Sequence, residues 1–225
     1  MNGQPELILV RHGEVDSAWK GICYGAMDVS LSEAGRLQSL GFAKSICQLY
    51  QPVSIFHSGL TRTQFLAEAI ASNCSSAVPI GADERLRERN YGRWQGLTWD
   101  AAYASDPENF HGLIEQPDTY RPPDGETTSE MQSRMGSWLN ELIRERNLGV
   151  VSAPGPVIVL THSGPIAAVV GHLLHLHARE WKPWTIATLQ SVAIRGLGSG
   201  SEPICTLLDG NQNLSEAMWK LVNCQ

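Results

Sequence analysis

The residues best suited to chemistry in this sequence stand directly behind its most apolar segments. Arg11 and His12 follow the apolar segment 7–10, and His162 follows the apolar segment 156–160 in the same way. Guanidinium groups form charge-assisted, often bidentate hydrogen bonds with phosphate oxygens, and an imidazole can act as a nucleophile. The pattern therefore indicates chemistry on a phosphoryl group.

A second arginine belongs to the same group by its position. Ser58 follows a third apolar segment, residues 53–56, and Arg62 lies four positions further along. Short apolar segments with β-branched residues are typical of buried strands. In an α/β sheet, ligands bind outside the carboxyl ends of the strands, where neighbouring parallel strands end together. We therefore expect Arg62 to lie near the two histidines, and the helix start at Gly164 to add backbone N–H donors.

Segments with helical periodicity lie between these predicted strands. Apolar residues recur at helical spacing in four places, which predicts helices over 32–49, 61–72, 127–146 and 165–176. In the first helix the recurring apolar residues are Leu37, Leu40, Ala43, Ile46 and Leu49. A short edge strand is predicted at 78–80, and two late strands at 186–194 and 203–208. This alternation predicts an α/β three-layer sandwich, with a mainly parallel sheet flanked by helices.

One segment departs from the alternation. Residues 90–125 are rich in Trp, Tyr, Pro and Gly, and we expect them to form a small cap over the carboxyl ends of the strands. The sequence contains no internal repeat, low-complexity tract or linker, so residues 1–225 are predicted to form a single domain.

Glu88 supplies a carboxyl group between the strand-end motifs. A carboxyl close to a bound anion has its ionised form disfavoured, so it can serve as a proton donor. Glu88 also lies in a charged run from Asp83 to Arg89, for which a surface network of ion pairs is the alternative interpretation.

Composition excludes several classes of partner. The net charge is −6, so the overall field repels nucleic acid and anionic membrane surfaces. No apolar segment approaches the ~20 residues needed to cross a bilayer, and no secretory signal is visible. The five scattered cysteines show no CxxC pairing, which argues against a disulfide framework and a structural zinc site. We expect a cytoplasmic protein; its oligomeric state does not follow from the sequence.

The ordered set of motifs resembles the histidine phosphatase superfamily, in the branch that contains cofactor-dependent phosphoglycerate mutases and small-molecule phosphatases. The resemblance covers roughly residues 6–195 and rests on Arg11-His12-Gly13-Glu14, Tyr24 to Gly35, Ser58-Gly59-Leu60-Thr61-Arg62, Leu86 to Gly96, Pro122 to Thr127, and Thr161-His162-Ser163-Gly164.

The resemblance implies a role for each matched residue. His12 would be the nucleophile that forms a phosphohistidine, and Glu88 the acid and base. His162 would act with Arg11 and Arg62 on the phosphoryl oxygens, and Gly25 and Gly164 would also contribute to phosphate binding. No metal ion and no cofactor are expected, because the cationic side chains neutralise the phosphoryl charge. The expected substrate is a small phosphorylated metabolite.

The sequence also departs from the family pattern. Ala18 stands where the family usually has a phosphate-binding asparagine, so that donor is missing or supplied elsewhere. Glu88 and His162 are only 74 positions apart, which is shorter than in the true mutases and favours a phosphatase. A mutase, an α-ribazole phosphatase and a non-catalytic phosphoryl-binding protein remain as alternatives.

Two further groups of residues have ordinary structural interpretations. His172, His175 and His177 invite a metal site, but no cysteine or carboxylate cluster accompanies them, so surface or packing histidines are favoured. Trp94, Trp99 and Trp138 are candidates for either a substrate pocket or the core.

Overall fold

In the computed structural model, the described residues are 4–149, 154–181, 184–198 and 202–208. Within them, six strands form one sheet in the order β3-β2-β4-β1-β5-β6. The strands are β1 (Leu7–Arg11), β2 (Ser54–His57), β3 (Ile80–Ala82), β4 (Val157–Thr161), β5 (Ser191–Arg195) and β6 (Ile204–Leu207). The predicted α/β fold with a helix-flanked sheet is confirmed.

The sheet is parallel where the site motifs end and antiparallel beyond them. Strands β3, β2, β4 and β1 are mutually parallel, whereas β5 and β6 run antiparallel to their neighbours. Arg11 is paired with Thr161, and His57 with Leu160, so three strands finish at one edge. This register places the residues that follow β1, β2 and β4 side by side.

Four long helices cover the sheet: α1 (Glu33–Leu49), α2 (Thr61–Asn73), α6 (Thr128–Asn147) and α7 (Ser163–Leu173). Side-chain hydroxyls cap two of them, since Ser32 accepts from the Gly35 N–H and Thr127 forms a capping box with Glu130. The shorter helices are α3 (Trp99–Ser105), α4 (Pro107–Phe110), α5 (Gly112–Glu115) and α8 (Ala178–Trp181).

The central strands are buried on both faces. In β1, Leu7 and Leu9 belong to the cluster formed with α6 and α7, while Ile8 and Val10 belong to the cluster formed with α1 and α2. Successive side chains point to opposite faces of a strand, so a continuous apolar segment fills both layers. Each of these side chains contributes about 2 kcal/mol by burial.

The buried face of α1 differs from the predicted one. Leu37, Leu40 and Leu49 are exposed, and the face packed on the sheet consists of Gly35, Ser39, Ala43, Ile46 and Cys47. Small residues are needed there because α1 passes close to the chain after β1. A Cβ on Gly35 would come within 2.1 Å of the Glu14 carbonyl oxygen.

The bounds of three predicted elements also differ by two residues or more. The edge strand predicted at 78–80 is β3, Ile80–Ala82. Strand β5 begins at Ser191, five positions later than the predicted start, because residues 186–190 instead form turns around Arg11 and His12. Helix α7 ends at Leu173, and His175 has a positive φ of 56°.

The segment 90–125 contains α3, α4 and α5 and has its own small core. Trp94 packs between Phe110 and Tyr120, and Cys23 from the long loop after β1 joins this cluster. The single-domain assignment of 1–225 stays a prediction, since parts of that range lie outside the described residues.

Four cysteines are described, and all are free thiols: Cys23, Cys47, Cys74 and Cys205. The fold nevertheless brings two of them together, with the Cys47 and Cys74 sulfur atoms 3.5 Å apart. None of the described helices has the length and apolar character needed to cross a membrane.

Candidate active site

The two histidines singled out from the sequence lie next to each other. His12 follows β1 and His162 follows β4. The backbone N–H of His12 donates to the backbone carbonyl of Thr161 at 3.1 Å. Their ring centroids are 5.1 Å apart in an edge-on arrangement. Both side chains are almost completely buried.

The hydrogen bond of His12 fixes which of its nitrogen atoms is available. Nδ1 lies 2.7 Å from the carbonyl oxygen of Gly13. A carbonyl only accepts, so Nδ1 carries the proton and Nε2 keeps a lone pair. Burial, reinforced by the Arg62 and Arg11 charges, lowers the pKa of His12 from 6.5 to about 3. The imidazole is therefore neutral and nucleophilic at Nε2 over a wide pH range.

The buried neutral histidines make stability depend on pH. We expect the free energy of unfolding to fall as the pH is lowered from 6.5 towards 3, because the unfolded chain binds protons that native His12 excludes. The slope is about 1.4 kcal/mol per pH unit for each such histidine. Urea unfolding between pH 7 and pH 5 measures it. His12→Asn should reduce the slope by the share of one histidine, since His162 remains, and the exposed-site control His111→Asn should not; identical slopes in all three proteins would contradict this account.

A chain of hydroxyls holds His162. Thr63 Oγ1 donates to the Leu60 carbonyl at 2.8 Å, so Thr63 must accept from Ser58 Oγ, which is also 2.8 Å away. Ser58 Oγ in turn accepts from His162 Nε2 at 3.0 Å. The proton of neutral His162 is thus on Nε2, while Nδ1 is buried without a protein partner. Burial, with the Arg62 charge next in size, lowers the pKa of His162 well below its ordinary value.

The predicted arginines are anchored by backbone carbonyls. Arg62 is fully buried and donates to the carbonyls of Met27 at 2.6 Å and Gly25 at 2.9 Å. Arg11 donates to the carbonyl of Ile186. Burial lowers the pKa of Arg62, since desolvation disfavours the charge. The Nε atoms of both arginines are buried without a protein partner, so donors remain for an anion.

Gly25 reaches the site through its carbonyl. Its φ is +39°, and a Cβ there would lie 2.6 Å from the Arg89 carbonyl oxygen and 2.7 Å from Gln95 Oε1. Only glycine fits this close approach. Gly25 thus positions the Arg62 guanidinium, and a direct contact with phosphate stays a prediction.

Glu88 faces the start of α7. Its carboxylate accepts from the Arg89 N–H at 2.9 Å and from the Gly164 N–H at 3.3 Å. The charged residues around it do form ion pairs, for example Arg85 with Asp83 and Arg87 with Glu84, but Glu88 is in none of those recorded among the described residues. The Glu88 carboxylate is therefore not neutralised by an ion pair with any described residue and lines the neighbouring cavity.

The match to a known protein family decides the classification. Residues 7–203 match the family model of the histidine phosphatase superfamily (branch 1). The chain belongs to this superfamily.

Individual relatives are phosphatases of small molecules by name. The chain is 31% identical, over 78% of its own length and 76% of the relative's, to a glucosyl-3-phosphoglycerate phosphatase of Mycolicibacterium vanbaalenii. It is 28% identical to a metal-independent phosphoserine phosphatase of Arabidopsis thaliana, over 88% of this chain and 90% of that one. The solved complex of mycobacterial glucosyl-3-phosphoglycerate phosphatase with inorganic phosphate has a TM-score of 0.75 at 26% identity, covering 93% of this chain and 98% of that one.

In this histidine phosphatase the place of the family asparagine is filled by an exposed alanine. Ala18 lies in a single turn of 3-10 helix, Ser17–Trp19, and its N–H donates to Asp16 Oδ1 at 2.9 Å. Ala18 therefore offers no side-chain donor at this position.

Two supporting residues were not expected to touch the site. Arg134 of α6 donates to the Glu88 carbonyl at 3.1 Å and pairs with Glu126 at 2.6 Å. The sequence offers no local signal for this pair, because it forms only where α6 crosses the loop after β3. Among the described residues, no group of three His, Cys, Asp or Glu side chains is placed to hold a metal ion, and His172, His175 and His177 form no such group.

A small alanine substitution tests the placement of Glu88. A Cβ on Gly164 would lie 2.4 Å from Glu88 Oε1, so Gly164→Ala must displace the carboxyl. We expect turnover to fall at least about 10²-fold, the scale of lost acid–base catalysis. Steady-state kinetics measure this. Gly41→Ala is the matched control, since nothing lies within 4 Å of its added Cβ. Equal activity of both variants would show that turnover does not depend on the Glu88 carboxyl lying beside Gly164.

Proposed function

We propose that this histidine phosphatase hydrolyses phosphate monoesters of a small metabolite through a phosphohistidine on His12, without a metal ion. The observation that carries the proposal is the His12 hydrogen bond to the Gly13 carbonyl at 2.7 Å, which leaves Nε2 as the nucleophilic atom near the charges of the buried Arg62 and the partly buried Arg11. The names of the relatives and the phosphate complex of a mycobacterial relative support it.

The site residues supply two steps. In the first, the His12 Nε2 lone pair attacks phosphorus, the bond from phosphorus to the ester oxygen breaks, and Glu88 passes a proton to that oxygen. In the second, a water oxygen attacks phosphorus, Glu88 takes up the water proton, and the P–N bond breaks. Arg11, Arg62 and His162 stabilise the charge on the phosphoryl oxygens in both steps.

Trapping the intermediate tests the proposal. Enzyme quenched during turnover of an aryl phosphate should carry one phosphoryl group on the peptide that contains His12, in an acid-labile and alkali-stable form. Release of inorganic phosphate should continue in EDTA. Transfer to a second phosphate acceptor in place of phosphate release would identify a mutase, and binding without turnover a phosphoryl-binding protein.

We place the protein in the cytoplasm as part of this proposal. The support is the thiol state of all four described cysteines, which suits a reducing compartment.

A further inference from the structure

The cavity lined by Glu88, the candidate acid and base, is rich in aromatic side chains. It measures about 340 Å³, and its lining includes Glu88 and the Gly164 backbone to which the Glu88 carboxylate is hydrogen-bonded. Its large side chains are mostly aromatic, and the remaining lining residues are mostly small, apolar or hydroxyl-bearing. The aromatic ones are Tyr24, Tyr91, Trp99, Trp181 and Trp184. Pockets of this size are at the lower end for small ligands.

From these walls we infer that the leaving group is an uncharged ring alcohol with a flat, carbon-rich face and no carboxylate. The inference rests on the proposed function and narrows its substrate. Aromatic rings bind best against other rings or apolar faces, in stacked or edge-on contact. Trp99 is available for such contact because 38% of its surface is exposed. Its ring is held edge-on against Tyr91, with centroids 5.4 Å apart.

The charges in the cavity do not suit a second acidic group. Among its described lining residues, only Glu88 and Arg89 are charged. Arg89 donates to the Glu126 carbonyl at 3.0 Å and to the Tyr120 carbonyl at 2.8 Å, and its guanidinium lies 5.2 Å from the centre of the Tyr91 ring. It is 3% exposed. This arginine is committed to holding the cap segment, and a substrate carboxylate would meet the Glu88 carboxylate.

Competing esters test the inference. We expect kcat/KM for 2-naphthylmethyl phosphate and for a neutral hexose phosphate to exceed the values for O-phosphoserine and 3-phosphoglycerate by about tenfold or more, the scale of an unpaired buried charge; all four have an alkyl leaving oxygen. The first two esters distinguish an aryl ring from a sugar ring. The last two carry the carboxylate.

Substitutions test which side chains cause the preference for ring esters. Trp99→Leu should lower kcat/KM for the preferred ring ester about fivefold, mainly through KM, and leave O-phosphoserine unchanged. Tyr103→Leu is the matched control, since Tyr103 is an exposed aromatic of the same helix that does not line the cavity. It should stay within about twofold of the original enzyme for all four esters. Lys182 falls outside the described residues, so Lys182→Ala is included as a check for a carboxylate-binding cation.

The outcomes separate the two proposals. Hydrolysis that depends on His12 but prefers the carboxylate esters would overturn the ring-alcohol inference and keep the phosphatase. A carboxylate preference removed by Lys182→Ala would overturn it in the same way. Absence of hydrolysis for every ester would overturn the phosphatase and with it the inference.

Discussion

Replacement of His12 by asparagine is expected to lower turnover of every phosphate ester at least about 10⁴-fold, since it removes the atom that forms the covalent intermediate. An asparagine amide can donate to the Gly13 carbonyl in place of Nδ1, so we expect the buried hydrogen bond to be kept. The loss should therefore appear in kcat with the fold intact. Circular dichroism and steady-state kinetics on the same preparation measure both.

The control for this substitution is His172→Asn, which changes an exposed histidine outside the site. It should keep the original activity, with or without EDTA. Turnover that survives in His12→Asn would remove the phosphohistidine mechanism. Turnover that EDTA abolishes in the original enzyme would point to a metal-dependent reaction instead.

Replacement of Glu88 by glutamine is expected to reduce kcat by about 10²–10⁴-fold for alkyl phosphates, because their leaving oxygen needs a proton. An aryl phosphate with a stable leaving anion needs little help in the first step. The second step still requires a base to take the water proton. With such an ester, Glu88→Gln should release one equivalent of the aryl alcohol in a burst and then accumulate phosphoenzyme.

Rapid-mixing absorbance and quenched phosphoenzyme yields distinguish these steps. Glu84→Gln is the matched control, since Glu84 lies in the same loop but is exposed and paired with Arg87. It should behave as the original enzyme. An equal loss with alkyl and aryl esters and no burst would show that Glu88 only positions other groups.

The strand-end motifs were predictable because strand and side-chain chemistry coincide in the sequence. His12 and His162 each follow an apolar segment that is typical of a buried strand. Parallel pairing of these two strands places both histidines at the same edge of the sheet. The buried face of α1 was not predictable from apolar spacing. Close passage of the chain at Gly35 requires small residues there, so Leu37 and Leu40 lie on the outer side.

Only some of the residues that line the cavity were predictable from the sequence. Trp99 lines it, as one interpretation held, but Trp94 and Trp138 are buried in the core. Trp181 and Trp184 were missed, because their segment carries no motif and reaches the site only through the path of the chain after α7. The carbonyl that anchors Arg11 belongs to Ile186, 175 positions away in the chain. Local sequence patterns do not predict such a long-range contact.

The hydroxyl chain from Leu60 through Thr63 and Ser58 has a thermodynamic consequence. It keeps the single proton of neutral His162 on Nε2, so Nδ1 can donate to a phosphoryl oxygen only after the ring gains a second proton. Binding of a phosphate dianion should then draw one proton from solution. Calorimetric heats of phosphate binding would vary with the ionisation enthalpy of the buffer, and affinity would rise as the solution becomes more acidic. The side chains that hold His162 in place thereby connect substrate capture to the proton concentration of the cell.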